Sequence, residues 1–114
     1  MKTIRVQDIT QSHRAISALD GEVVFKKIID SFGKNQPVML DFEGIDLTIT
    51  AFLNSSIGKL YSLYSSVQIK ELLDIKNLPS EEVQLLKLVI DRAKERFSKE
   101  YPDELDNIDF VNED

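Results

Sequence analysis

The chain has no cysteine and a single histidine, His13. Without thiols there can be no disulfide, no thiolate zinc site and no cysteine nucleophile, and the composition fits a reducing compartment. A serine–histidine–acid triad would have to use His13, which sits among Gln11, Ser12 and Arg14 in a polar stretch that suits a solvated or capping histidine. Nothing around Ser12, Ser17, Ser55 or Ser56 resembles a nucleophile elbow. Glycine is also sparse, with Gly21, Gly33, Gly44 and Gly58 too far apart for a G-x-G-x-x-G loop. Gly58-Lys59 is not a phosphate-binding loop either, because Leu53 stands where its first glycine belongs and Leu60 where its hydroxyl belongs. No stretch approaches the ~20 apolar residues that a membrane-spanning helix needs, and the first residues, with Lys2, Arg5, Asp8 and Arg14, hold no apolar run of signal-peptide length. Together these absences predict a soluble, cytoplasmic protein that is not an enzyme and takes no cofactor or metal.

Basic residues are missing from one stretch. Residues 100–114 contain Glu100, Asp103, Glu104, Asp106, Asp109, Glu113 and Asp114 and neither lysine nor arginine, whereas the remaining 13 acids stand against 14 bases. The formal net charge of −6 therefore belongs to this segment. Nucleic-acid binding requires a concentrated basic face, which the charge distribution argues against. The expected division is one α/β domain over residues 1–99 and an acidic C-terminal tail over 100–114, the tail reading as a solvated end, with a docking or self-shielding role as the alternative.

What is present is a succession of periodic segments. Ile4, Val6 and Ile9 among polar neighbours predict a first strand near residues 3–9. Ile16, Leu19, Val23, Phe25, Ile28, Ile29 and Phe32 recur at helical steps, with a break expected at Asp20-Gly21, where Asp20 would cap a helix ending at Gly33. Pro37 opens the short apolar run Val38–Phe42, which reads as a central strand buried on both faces. Leu53, Ile57, Leu60, Tyr61 and Tyr64 predict a second helix from about Thr50, capped by Thr48 or Thr50. Residues 65–79, bounded by Ser65-Ser66 and Asn77-Leu78-Pro79, favour one or two short strands. Ser80 followed by Glu81 and Glu82 is a strong helix start, and Val83, Leu86, Val89, Ile90, Ala93 and Phe97 then share one face. Alternation of this kind specifies a sheet with helices packed on it, with any site at a strand-to-helix turn.

Asp41, Glu43 and Asp46 follow the central strand. Carboxylates so grouped can hold a hard cation, though acids in such a place more often cap a helix or face water. They support an alternative reading, a small ligand- or metal-binding protein or weak enzyme using Asp41, Glu43 and Thr48. Phe52, Tyr61 and Tyr64 have the spacing of core residues, and no lysine or arginine interleaves them as a nucleic-acid platform requires.

The segment Val38-Met39-Leu40-Asp41-Phe42-Glu43-Gly44-Ile45, then Thr48-Ile49-Thr50-Ala51-Phe52-Leu53 and Gly58-Lys59-Leu60, resembles the STAS-like family of small bacterial proteins related to anti-sigma factor antagonists. That family shows an apolar strand ending in an L-D-F-x-G-[VI] pattern, a turn rich in serine or threonine, and a helix with phenylalanine near its start. Arg14-Ala15 and Asn77-Leu78 extend the resemblance, so that most of residues 10–97 can be laid on it. It implies a mixed sheet of about four strands flanked by helices. It also implies a regulatory role, exercised by docking on a protein partner, commonly an ATP-binding kinase of the histidine-kinase type. In anti-sigma factor antagonists that partner phosphorylates a serine in a D-S-S-G turn, which breaks the complex. The turn corresponds here to Ile49-Thr50-Ala51-Phe52, which lacks the aspartate and the glycine and keeps a hydroxyl only at Thr50. The partner-binding residues so implied are Thr48, Thr50, Ala51, Asn54 and Ser55, with Thr50 as candidate phosphoacceptor. The competing role of Thr50 is that of a helix N-cap, and Ala51 in place of a serine also suits a constitutive binder. A homo-oligomer is compatible with the same reading.

Overall fold

A computed structural model describes residues 1–97, so the acidic segment 100–114 lies outside the described residues. Among them the chain forms strands β1 (Lys2–Arg5), β2 (Arg14–Ala15), β3 (Val38–Asp41), β4 (Leu47–Thr48) and β5 (Leu73–Lys76). Helices α1 (Val6–Thr10), α2 (Ala18–Gly33), α3 (Thr50–Ser56), α4 (Ser66–Leu72) and α5 (Ser80–Phe97) alternate with them, and a 3₁₀ turn, Gly58–Ser62, follows α3. The architecture is α/β, with five strands rather than about four. They form two small sheets, β1-β3-β5 and β2-β4. Every pairing is parallel, not mixed. Each pair is separated by a crossover containing at least one helix, the connection that parallel neighbours require.

β3 is the central strand, as its apolar run predicts. Ile4, Leu40 and Ile75 stand side by side, as do Lys2, Val38 and Leu73. Val38 and Leu40 are fully buried, whereas Met39 and Asp41 are only partly covered. The neighbours of these two, Thr3 and Asp74, Arg5 and Lys76, are exposed. The sheet thus has one packed face and one solvated face, and the expectation of burial on both faces fails because only Met39 is apolar on the open side. The packed face lies under α2 and the core formed by Phe42, Phe52, Leu53, Ile57 and Leu60. Phe42 and Phe52 meet edge to face with centroids 6.4 Å apart, a favoured aromatic geometry. Tyr61 is buried and Tyr64 meets Phe32 edge to face at 5.2 Å, so both serve packing, as their spacing predicts.

Three local expectations are corrected. The first strand stops at Arg5, and Val6–Thr10 turns into α1, closed by Gln11 in the left-handed region (φ 55°). α2 runs through Asp20-Gly21 without a break. Its N-cap is Ser17, whose hydroxyl accepts from the Leu19 and Asp20 amides at 3.1 and 3.2 Å. Its buried face is Gly21, Val24, Phe25, Ile28 and Phe32, leaving Ile16, Leu19 and Val23 in solvent. Residues 65–76 divide into a helix and a strand: Ser65 and Gln68 form a reciprocal capping box that starts α4, and β5 follows directly.

Gly21 explains itself by contact. α2 lies against α3 there, and a Cβ at Gly21 would come within 2.7 Å of the Phe52 carbonyl oxygen and also meet the Ser55 side chain. Backbone cannot yield as a side-chain tip can. Gly44, at φ 86°, meets a different need, the left-handed turn that reverses the chain after β3. We expect Gly21→Ala, although it raises helix propensity, to destabilise the fold by about 1–3 kcal/mol through overpacking. A urea midpoint equal to or above that of the parent chain would show that α2 and α3 are not in this contact.

Candidate functional site

β4 and β2 form a two-residue ladder, Arg14 beside Leu47 and Ala15 beside Thr48, prolonged by the Ile49 amide donating to the Ala15 carbonyl at 3.3 Å. Strand side chains alternate between faces. Ala15 and Thr48 point inward and are buried, so Arg14, Leu47 and the flanking Ile16 and Ile49 are left outside. Ile16, Leu47 and Ile49 are 42%, 40% and 39% exposed, and Leu19, at the start of α2, is 78% exposed. The ladder sets Ile16, Leu47 and Ile49 on one outer face, and aliphatic side chains gathered in this way, rather than scattered singly, mark an interaction surface. This patch was not read from the sequence, although Leu47-Thr48-Ile49 carries its signal as an alternation with the polar residue inside.

The five residues expected to bind a partner fall in different places. Thr48 is corrected out of the surface: it is 2% exposed, and its amide and hydroxyl both donate to Glu82 Oε1, at 3.2 and 2.7 Å. Glu82 stands in the first turn of α5, where a carboxylate is favoured by the positive helix end. Thr50 is the half-buried first residue of α3. The N-cap is Ile49, in extended backbone (φ −131°, ψ 167°), so neither Thr48 nor Thr50 caps this helix. Among the described residues the Thr50 hydroxyl makes no hydrogen bond. Ala51 and Asn54 are exposed, and Ser55 spends its hydroxyl on the carbonyls of Ala51 and Phe52 at 3.0 and 3.2 Å.

Ala51, Asn54 and Ser55 are brought together on one wall of a cleft of about 450 Å³. Arg92 and Arg96 of α5 form the opposite wall, and Lys59 of the 3₁₀ turn stands at its end. Lys59 is bound by Glu22 at 3.1 Å and lies over the Phe25 ring. This cationic wall was not read from the sequence, because Arg92 and Arg96 are brought to Lys59 only by the packing of α5 against the 3₁₀ turn.

The acids of the alternative reading do not converge. Asp41 Oδ1 accepts from the Asn77 side-chain amide at 2.8 Å and the Glu43 amide at 2.9 Å. Glu43 faces Arg5 at 3.7 Å, Asp46 faces His13 at 3.9 Å, and Thr48 is held by Glu82. Among the described residues no group of three His, Cys, Asp or Glu could hold a metal ion. The hydrogen bond from Asn77, then that from the Glu43 amide, with smaller help from Arg5 and Lys76, holds the Asp41 carboxyl below its ordinary value. No helix among the described residues is long and apolar enough to cross a membrane.

A parallel sheet with one helix-covered face, and a strand-to-helix turn raised beside an exposed aliphatic patch, defines a small α/β domain whose distinctive surface is that turn. The chain belongs to the STAS-like family: the family model described as a STAS-like domain of unknown function (DUF4325) matches residues 20–82, from α2 to the first turn of α5. Searches of curated proteins and of solved structures give no match to it.

Two outcomes follow. Thr48→Val should cost about 1.5–3 kcal/mol in a urea titration, since it removes a hydrogen bond to a charged group; a loss near zero would mean that Glu82 does not hold the turn. Asn77→Ala should raise the Asp41 pKa in a carboxyl NMR titration. A depressed carboxyl contributes stability that is present above its unfolded-state pKa and lost as the pH falls through its folded-state pKa, so the variant should lose part of that acid-limb dependence. An unmoved Asp41 titration would contradict the assigned cause.

Proposed function

We propose that this chain is a regulatory protein–protein interaction module, cytoplasmic and non-catalytic, which docks on a protein partner through the β4–α3 turn. The observation that carries the reading is the patch of Ile16, Leu47 and Ile49 on the outer face of β2-β4, continuous in sequence with Thr50 and Ala51. Aliphatic side chains contribute docking energy by leaving water. The docking surface comprises Thr50, Ala51, Asn54 and Ser55 with these three, and Thr48 supports it from inside. The resemblance of the β3–α3 segment to anti-sigma factor antagonists favours a partner of the ATP-binding histidine-kinase type. Thr50 is the candidate switch, because its hydroxyl is unengaged and a phosphate there would place about −2 charges in a surface that must desolvate on docking.

The test is affinity capture with the full chain, identification of an ATP-binding kinase among the captured proteins, and titration calorimetry of that complex with variants. Thr50→Glu should weaken binding at least tenfold, ~1.4 kcal/mol. Thr50→Ala should keep binding, and should shift stability by no more than about 0.5 kcal/mol because it removes no cap. Wild-type affinity in a Thr50→Glu chain that circular dichroism shows to be folded would sink the assignment of this turn as the interface.

A further inference from the structure

The cleft between α3 and α5 is lined by three cations and no acid. Lys59 is already paired with Glu22, but among the described residues neither Arg92 nor Arg96 has a carboxylate partner. Ala51 and Ala93 give the cleft apolar surface between its charges, and Phe97, at its margin, carries the Arg96 guanidinium 5.8 Å from its ring centroid. A site built in this way suits a peptide with several carboxylates and one or two bulky apolar side chains: the arginines take the acids, and the floor takes the apolar group.

The same chain contains such a peptide. From Phe97 it continues into residues 100–114, with seven acids, no base, and Ile108, Phe110 and Val111 near its end. Phe110 is 13 residues from Phe97, and a chain of that length can reach at most roughly 45 Å, ample for a return to the cleft. Tethering also gives the segment an effective concentration on the order of millimolar, which a free acidic peptide would have to match.

We infer that the α3–α5 cleft is a binding site for an acidic peptide and that its occupant is the chain's own segment 100–114, held by Arg92 and Arg96 with Phe110 as apolar anchor. The segment covers Ala51, Asn54 and Ser55 when bound, so it masks part of the surface proposed for the partner. That consequence rests on the proposed docking face; the contact between segment and cleft does not.

Because the chain has no cysteine, Asn112→Cys gives a single attachment point for a nitroxide on the full-length protein. In an amide NMR spectrum, the amides of Ala51, Asn54, Ser55, Arg92 and Arg96 should lose most of their intensity relative to the reduced label, while those of Thr3 and Asp74, on the open face of the sheet, keep theirs. Arg92→Glu/Arg96→Glu in the same labelled chain should restore the cleft signals. Arg92→Gln/Arg96→Gln, a milder pair, should do so in part if charge reversal disturbs the helix. Raising the salt concentration should act in the same direction. Broadening that misses the cleft, or that persists unchanged in a folded arginine variant, overturns the inference. Mixing spin-labelled unenriched chains with unlabelled ¹⁵N-enriched chains separates the sources: cleft broadening of equal size in that mixture would make the occupant a second copy and overturn the assignment to the chain's own segment. No partner enters this experiment, so its outcome is independent of the Thr50→Glu result.

Discussion

The close approach of α2 to α3 sets the position of everything on the candidate face. At Gly21 the helices are separated by less than a side chain, with the Phe52 carbonyl where a Cβ would intrude. This places Phe52 and Leu53 deep enough to meet Phe42, the residue just after β3, and it leaves Ala51 and Asn54, with Ser55 at the edge of the α2 contact, lining the cleft toward α5. A helix of seven residues has little stability of its own. The orientation of α3 therefore comes from its buried side, and a surface function on the exposed side inherits its precision from the core.

The opposite constraint comes from Thr48. Its burial would cost free energy if its amide and hydroxyl were unsatisfied, and Glu82 satisfies both from 34 residues away. A hydrogen bond to a charged acceptor is stronger than one between neutral groups, whereas the exposed ion pairs of this protein, such as Asp30 with Lys34, each contribute at most about 1 kcal/mol. The Glu82 contact is thus the polar interaction that matters for the turn. It fixes the start of α5 against β4, and the two walls of the cleft descend from that junction: α3 leaves β4 directly, while Arg92 and Arg96 lie further along α5. Disturbing Thr48 would alter the spacing of walls it does not itself touch.

Much of this fold was legible in the sequence, for reasons that separate the successes from the failures. β3 and α5 were readable because one strong pattern dominates each: a short apolar run after Pro37, and a long stripe after Ser80-Glu81-Glu82. The strand, turn and helix around Thr50 were readable because their motif resembles a family to which the chain belongs. α4 was misread although Ser65 and Gln68 carry its capping box, since paired serines also look like a break. β2 and β4 are two residues each, too short for any period to register. Gly21 and Thr48 could not be understood locally, because what each needs, an adjacent helix backbone or a carboxylate 34 residues on, is long-range information. The direction of error at the site is physical too. A threonine near a helix start reads as a surface cap, and here it lies one residue too early, on the inward side of the strand alternation.

The strength of a self-docked tail can be bounded from its parts. Millimolar effective concentration means that half-occupancy of the cleft requires an intrinsic binding free energy of about 4 kcal/mol. Two exposed arginine–carboxylate pairs supply roughly 0.4–2 kcal/mol together, short of that requirement. Burying an aromatic side chain adds about 1.5–3 kcal/mol, so Phe110 has to contribute for the contact to be populated at all. With both terms the total lies near the threshold, and the cleft would be covered for a comparable fraction of time as it is open. A partner then meets a face whose apparent affinity is lowered only by the open fraction, about twofold at half-occupancy. Such a segment would not act as a lock. It would screen the arginines from adventitious acidic ligands while yielding to any partner that also engages Ile16, Leu47 and Ile49, which the segment has no need to cover.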